Sequence, residues 1–135
     1  MDSISIDLKG TTVDAVEQRG GQLRIHFSRT YQLKTMTGSR ERTRWWQAGA
    51  LVFSGVGSEV VVPPRGELCC CGGELEDNLY VYRDMIPVPF ESRGRVGCRL
   101  EFEGLDTPLV VRGEAVQLEL EGVARYIEHL RPETG

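Results

Sequence analysis

Apolar residues recur at every second position along much of the chain, a period that strands with one buried face produce. Ile4, Ile6 and Leu8 share one side of residues 3–8, and Lys9-Gly10 then reads as a turn. Residues 13–18 form a weaker run. Arg19-Gly20-Gly21 offers the positive-φ positions of a tight hairpin, beyond which Leu23, Ile25 and Phe27 face inward while Arg24 and His26 face outward. The pattern fades over residues 28–44, where Tyr31, Leu33 and Met36 are among the few core candidates. That stretch reads as a long loop of the kind that carries function or moves. Residues 45–54 read as a central strand bent by Gly49, and residues 59–62 as a short strand closed by Pro63-Pro64-Arg65-Gly66. A further run, 68–71, ends at Gly72-Gly73.

The second half is more regular. Residues 74–90 are acidic, then aromatic with Tyr80 and Tyr82, then Ile86-Pro87-Val88-Pro89-Phe90. Prolines two apart cannot donate ladder hydrogen bonds, so this piece belongs at a sheet edge or in an extended connection. Val96, Cys98, Leu100 and Phe102 alternate with polar residues, and Leu109, Val111, Val116, Leu118 and Leu120 repeat the pattern after a turn at residues 104–108. Residues 122–130 fit helical spacing as well as a last strand, and the strand is preferred. The expected fold is one all-β domain over residues 1–135, an antiparallel β-sandwich or flattened barrel of eight to nine short strands. Its core is expected to hold these alternating residues together with Ile4, Ile6, Leu23, Ile25, Phe27, Leu51 and Phe53.

Composition narrows this further. At 135 residues the chain has the size of one domain. It is 40% hydrophobic and 27% charged, and its mean hydropathy of -0.27 fits a globular protein. No apolar run approaches the ~20 residues of a membrane-spanning helix, so no membrane partner is expected. The opening MDSISIDLKG shows neither a basic start nor a long apolar stretch, which makes the cytoplasm the expected compartment. Sixteen glycines scattered between apolar runs mark many turns. A net charge of -4 and a pI of 5.2 disfavour nucleic acid and anionic membranes as partners. The charge is uneven: residues 1–50 carry eight basic and five acidic groups, whereas residues 101–135 carry three and eight.

Candidate chemistry is sparse. Cys69-Cys70-Cys71 and Cys98 supply enough thiols for zinc. Adjacent strand residues point to opposite faces, however, so buried small hydrophobes fit the run better than a tetrahedral site, with redox-sensitive thiols as the other reading. His26 has no recognisable nucleophile elbow beside it, and Ser54-Gly55-Val56-Gly57-Ser58 lacks the lysine of a phosphate loop. Glu101, Glu103, Glu114, Glu119 and Glu121 occupy the polar phase of strands and read as a solvated face. No catalytic residue, metal ligand or cofactor is assigned.

The most function-like stretch is Ser39-Arg40-Glu41-Arg42-Thr43-Arg44-Trp45-Trp46. Arginines at alternate positions line one side of an extended chain, and the tryptophans offer planes for stacking. The candidate binding residues are Tyr31, Arg40, Arg42, Arg44, Trp45 and Trp46, with Tyr80 and Tyr82. The expected function is a non-enzymatic binding or assembly module with its contact surface around residues 31–46 and 86–90. A protein partner or a homo-oligomer is expected, because an exposed sheet edge is a docking site for another strand. The alternative is a small-molecule or carbohydrate-binding β-barrel that uses Trp45, Trp46, Tyr80 and Tyr82, hydrolytic if one of the glutamates serves it.

The ordering of several stretches resembles a family of small, uncharacterised bacterial all-β proteins. The matching pieces are Gln22-Leu23-Arg24-Ile25-His26-Phe27-Ser28, residues 44–55 from Arg44-Trp45-Trp46 onward, Ile86-Pro87-Val88-Pro89, Leu100-Glu101-Phe102 and residues 122–128. The resemblance spans nearly the whole chain but rests on generic β patterns. It implies a single all-β domain in the bacterial cytoplasm, no known activity and no catalytic residue; the cysteine run lies outside the shared pattern.

Overall fold

The computed structural model describes residues 3–36, 38 and 41–130. Eight strands run in the order β1 (Ser3–Arg19), β2 (Gln22–Thr35), β3 (Arg42–Ser54), β4 (Leu68–Asp77), β5 (Tyr80–Arg83), β6 (Met85–Val88), β7 (Glu91–Phe102) and β8 (Leu109–Leu130). All pair antiparallel in one sheet ordered β5-β4-β7-β8-β3-β2-β1-β6, and a further β4–β1 pairing at Thr12↔Cys69 and Val13↔Leu68 closes the sheet into a ring. The described residues contain no helix, and so none long and apolar enough to cross a membrane. The expectation of an all-β antiparallel sandwich or flattened barrel is met.

The strands are longer than the sequence pattern suggests, because signals read as turns are bulges inside continuing strands. Lys9-Gly10 lies within β1, with Gly10 at φ 90°, and Gly122 lies within β8 at φ 66°. Most of residues 28–44 is likewise strand and not a loop, since β2 runs to Thr35 and β3 begins at Arg42. The expected strand at residues 59–62 is absent: β3 and β4 are joined without one, and Val61 there is 71% exposed. Residues 122–130 are strand, as preferred.

The barrel interior is filled. Leu23, Ile25 and Phe27 of β2 meet Leu51 and Phe53 of β3, with Val96, Leu100, Phe102, Leu109, Val111 and Val116 closing from β7 and β8. Burial of this kind supplies the main stabilising term, about 1.5–3 kcal/mol for each fully buried large side chain. Leu118, Leu120 and Ile4 are less enclosed than expected, and Leu8, Val13, Leu75, Ile86 and Phe90 join the core instead.

Register shifts lie in a row across the sheet, between Asp7 and Thr12, Phe27 and Thr30, and Trp46 and Ala48. Bulges add local twist and bend a sheet. This row divides the four long strands into a barrel half and a second half, here called the flange, made of β6, the start of β1, the end of β2, the start of β3 and the end of β8. A buried polar layer marks the division. The Thr30 hydroxyl donates to the Gln47 carbonyl at 2.9 Å, and Gln47 Nε2 donates to the Gly122 and Glu121 carbonyls at 2.9 and 3.2 Å. Backbone groups released by the bulges thus regain partners, and among the described residues no buried side-chain nitrogen or oxygen lacks one.

Candidate functional site

The expected contact surface converges on the flange. β6 pairs with β1 through Ile4↔Val88 and Ile6↔Ile86, β1 with β2 through Asp7↔Tyr31, β2 with β3 through Tyr31↔Trp46, and β3 with β8 through Trp46↔Arg125. Residues 31–35, 42–46 and 86–88 therefore occupy one five-stranded sheet, with β6 at its edge as the prolines required.

Strand alternation sorts the side chains onto two faces. Gln32, Trp45 and Tyr126 are cross-strand neighbours on the side that continues into the barrel interior, alongside buried Ile6 and Ile86. Trp45 stacks edge-on against Tyr126 with centroids 5.4 Å apart, its indole N–H donates to the Thr43 hydroxyl at 2.8 Å, and Lys34 Nζ lies 4.1 Å from its ring centre. The outer face carries Tyr31, Arg42, Arg44, Trp46 and Arg125. Here guanidinium groups lie over rings: Arg44 is 4.4 Å from the Tyr31 centroid, and Arg29 and Arg125 are 4.4 and 5.5 Å from that of Trp46. Contacts of this type are worth about 0.5–1 kcal/mol each at exposed sites, so they order the side chains more than they stabilise the fold.

The two tryptophans are thus on opposite faces, and neither sits in the core cluster. Tyr80 and Tyr82 stand apart on β5, which pairs with β4; Tyr80 packs on Tyr82 at 5.1 Å and Tyr82 on Phe90 at 6.1 Å. They do not join Trp45 and Trp46 in one pocket. Arg40 lies outside the described residues. Arg29, Lys34, Arg125 and Tyr126 complete the arrangement and were not singled out in the sequence. Arg29 sits two residues before Tyr31, a signal available from alternation alone, whereas Arg125 becomes a neighbour of Trp46 only through the β3–β8 register.

Other chemistry-bearing groups are placed as follows. On the outer barrel face, His26 Nδ1 is 2.5 Å from Asp14 and Nε2 is 3.0 Å from Glu121, while Arg24 reaches Glu119 at 2.9 Å and Glu121 at 3.4 Å. Burial pulls the His26 pKa down, but the two carboxylates outweigh it and leave it raised above the ordinary 6.5. The nitrogen that a catalytic dyad would turn toward a hydroxyl is held by Glu121. Cys70 and Cys98 lie in the core, and burial pushes their thiols up to about 11 and about 12; Cys71 is exposed. Among the described residues no group of three metal-ligating side chains converges. A groove of about 580 Å³ runs between residues 13–18 of β1 and residues 62–68 and is lined by no aromatic side chain. Comparison with known proteins finds no matching family model, no matching curated protein and no matching solved structure.

Proposed function

We propose that the chain is a non-catalytic binding and assembly module whose contact surface is the outer face of the flange. The observation that carries this reading is the cluster of arginines held on Tyr31 and Trp46, on a sheet face that extends past the barrel and has no other element of the described chain packed over it. Arginine and aromatic residues are enriched at protein interfaces, and ordering them beforehand lowers the cost of binding. The sheet edge adds a second point of attachment, since β8 pairs with β7 only as far as Gln117 and continues to Leu130 with one side unpaired by any described strand. A barrel that encloses a small molecule or sugar has less support, because the interior is filled and Trp45, Trp46, Tyr80 and Tyr82 do not gather at one site.

Sedimentation velocity on the whole chain tests the assembly reading. Mass above the 15.1 kDa monomer is expected to grow with concentration and to fall in Trp46→Ala and Arg44→Ala. A strict monomer at every concentration, unchanged by either substitution, would remove the self-assembling form of this role.

A further inference from the structure

The outer face of the flange carries three arginines that no described carboxylate pairs, although Asp7 and Glu128 share that face. Arg29, Arg44 and Arg125 each place a guanidinium on an aromatic ring, and none forms an ion pair with a described carboxylate. Acidic residues are within reach of the same face: Glu128 lies opposite Arg44 in the β3–β8 register, and Asp7 lies opposite Tyr31. Arg44 nevertheless lies over Tyr31, and the Asp7 carboxylate accepts from the Lys9 backbone N–H at 3.0 Å. A guanidinium held over a ring keeps its five N–H donors in its own plane, a fork that matches a carboxylate in a bidentate pair.

We propose that this face binds an extended acidic segment of a partner protein, with Arg44, Arg29 and Arg125 each taking a carboxylate; the inference rests on the binding role proposed above. The three arginines stand on three adjacent strands, Arg29 on β2, Arg44 on β3 and Arg125 on β8, so the segment is expected to cross the flange strands, which lie about 4.8 Å apart, and not to run along one of them. A single-stranded nucleic acid fits less well, because it needs open aromatic faces for its bases and here guanidinium groups cover Tyr31 and Trp46.

The test is fluorescence anisotropy of a labelled (Ser-Glu)5 peptide titrated with the full chain at low salt, beside (Ser-Lys)5 and a ten-nucleotide oligothymidylate. The acidic peptide is expected to bind, to weaken at higher salt, and to lose at least tenfold in affinity with Arg29→Gln/Arg44→Gln/Arg125→Gln. Arg44→Lys, which keeps the charge and loses the fork, is expected to lose affinity too, whereas Trp45→Ala on the inner face retains it. Circular dichroism identifies any variant that fails to fold, and Arg44→Lys keeps the test decisive in that event. Equal binding by Arg44→Lys and by the folded triple variant, absence of peptide binding, or tighter binding of the oligothymidylate would each overturn the proposal. Salt-insensitive self-association in sedimentation, with no peptide bound, would overturn the acidic partner while leaving the assembly role intact.

Discussion

Gln32 Nε2 donates to Gln47 Oε1 at 2.6 Å, in the buried layer where the barrel bends into the flange. Gln47 in turn holds the β8 bulge through the Glu121 and Gly122 carbonyls. Replacing Gln47 by leucine removes all three bonds and strands the Gln32 amide in a buried site, which costs about 2–3 kcal/mol. Urea unfolding should show that loss in Gln47→Leu, and the Gln32→Leu/Gln47→Leu pair should cost less than the two single changes combined, since neither amide is then left alone. Strict additivity would mean that the two amides do not act together.

Asp84 joins β5 to β6 at the point where β4 and β1 diverge. Its N–H donates to the Gly73 carbonyl at 2.8 Å, its carbonyl accepts from Leu8 N–H at 2.9 Å, and its carboxylate accepts from Gly73 N–H at 3.0 Å. The residue has φ 57°, a conformation that costs most side chains about 1 kcal/mol or more. Asp84→Ala loses the carboxylate and keeps the unfavourable backbone, so it is expected to destabilise by about 2 kcal/mol. Asp84→Gly relieves the backbone and should be the milder change when midpoints of chemical unfolding are compared; the reverse order would show that the left-handed backbone at this position holds no strain for glycine to relieve.

These two sites also explain where the sequence was legible. Strands whose inward phase is apolar throughout, such as Leu23, Ile25 and Phe27 or Val96, Cys98, Leu100 and Phe102, were readable residue by residue. In β2 beyond Phe27 the inward phase is Thr30 and then Gln32, both buried and hydrogen-bonded, so alternation continued without a hydrophobic signal and the strand looked like a loop. The bulges shift the phase of alternation, which makes Lys9-Gly10 look like a turn. The proposed contact surface is legible near Trp45 and Trp46 from residue type alone. That Arg125 shares the Trp46 face, that Trp45 turns away from it, and that Tyr80 and Tyr82 are elsewhere all depend on register between distant strands.

The four thiols are sorted by burial. Cys98 and Cys70 are in the core with thiols pushed up to about 12 and about 11, Cys69 is half-buried and also raised, and Cys71 is exposed. A thiol reacts as its thiolate. At pH 8 a disulfide-exchange reagent should therefore label Cys71 first in the native chain, with Cys70 and Cys98 reacting only after denaturant is added. Mass spectrometry of the partly labelled protein checks the order, and early labelling of Cys98 would place it outside the core.

His26 gives a stability that depends on pH with a definite sign. Burial disfavours its charged form, the Asp14 and Glu121 carboxylates favour it more, and the folded pKa stands above the unfolded value of about 6.5. A group whose pKa is raised on folding binds more protons in the native state, so its contribution is fully present below the unfolded pKa and is lost as pH rises through the folded one. Because all three side chains are partly exposed, the contribution is about 1 kcal/mol or less. Unfolding of the wild type and of His26→Gln at a series of pH values should show the wild type more stable near pH 5.5 and the difference shrinking steadily above neutrality. Asp14→Asn should lower the His26 pKa in an NMR titration of the imidazole. A wild-type advantage that grew with pH would mean that His26 is held neutral, with one carboxylate no longer facing a ring N–H.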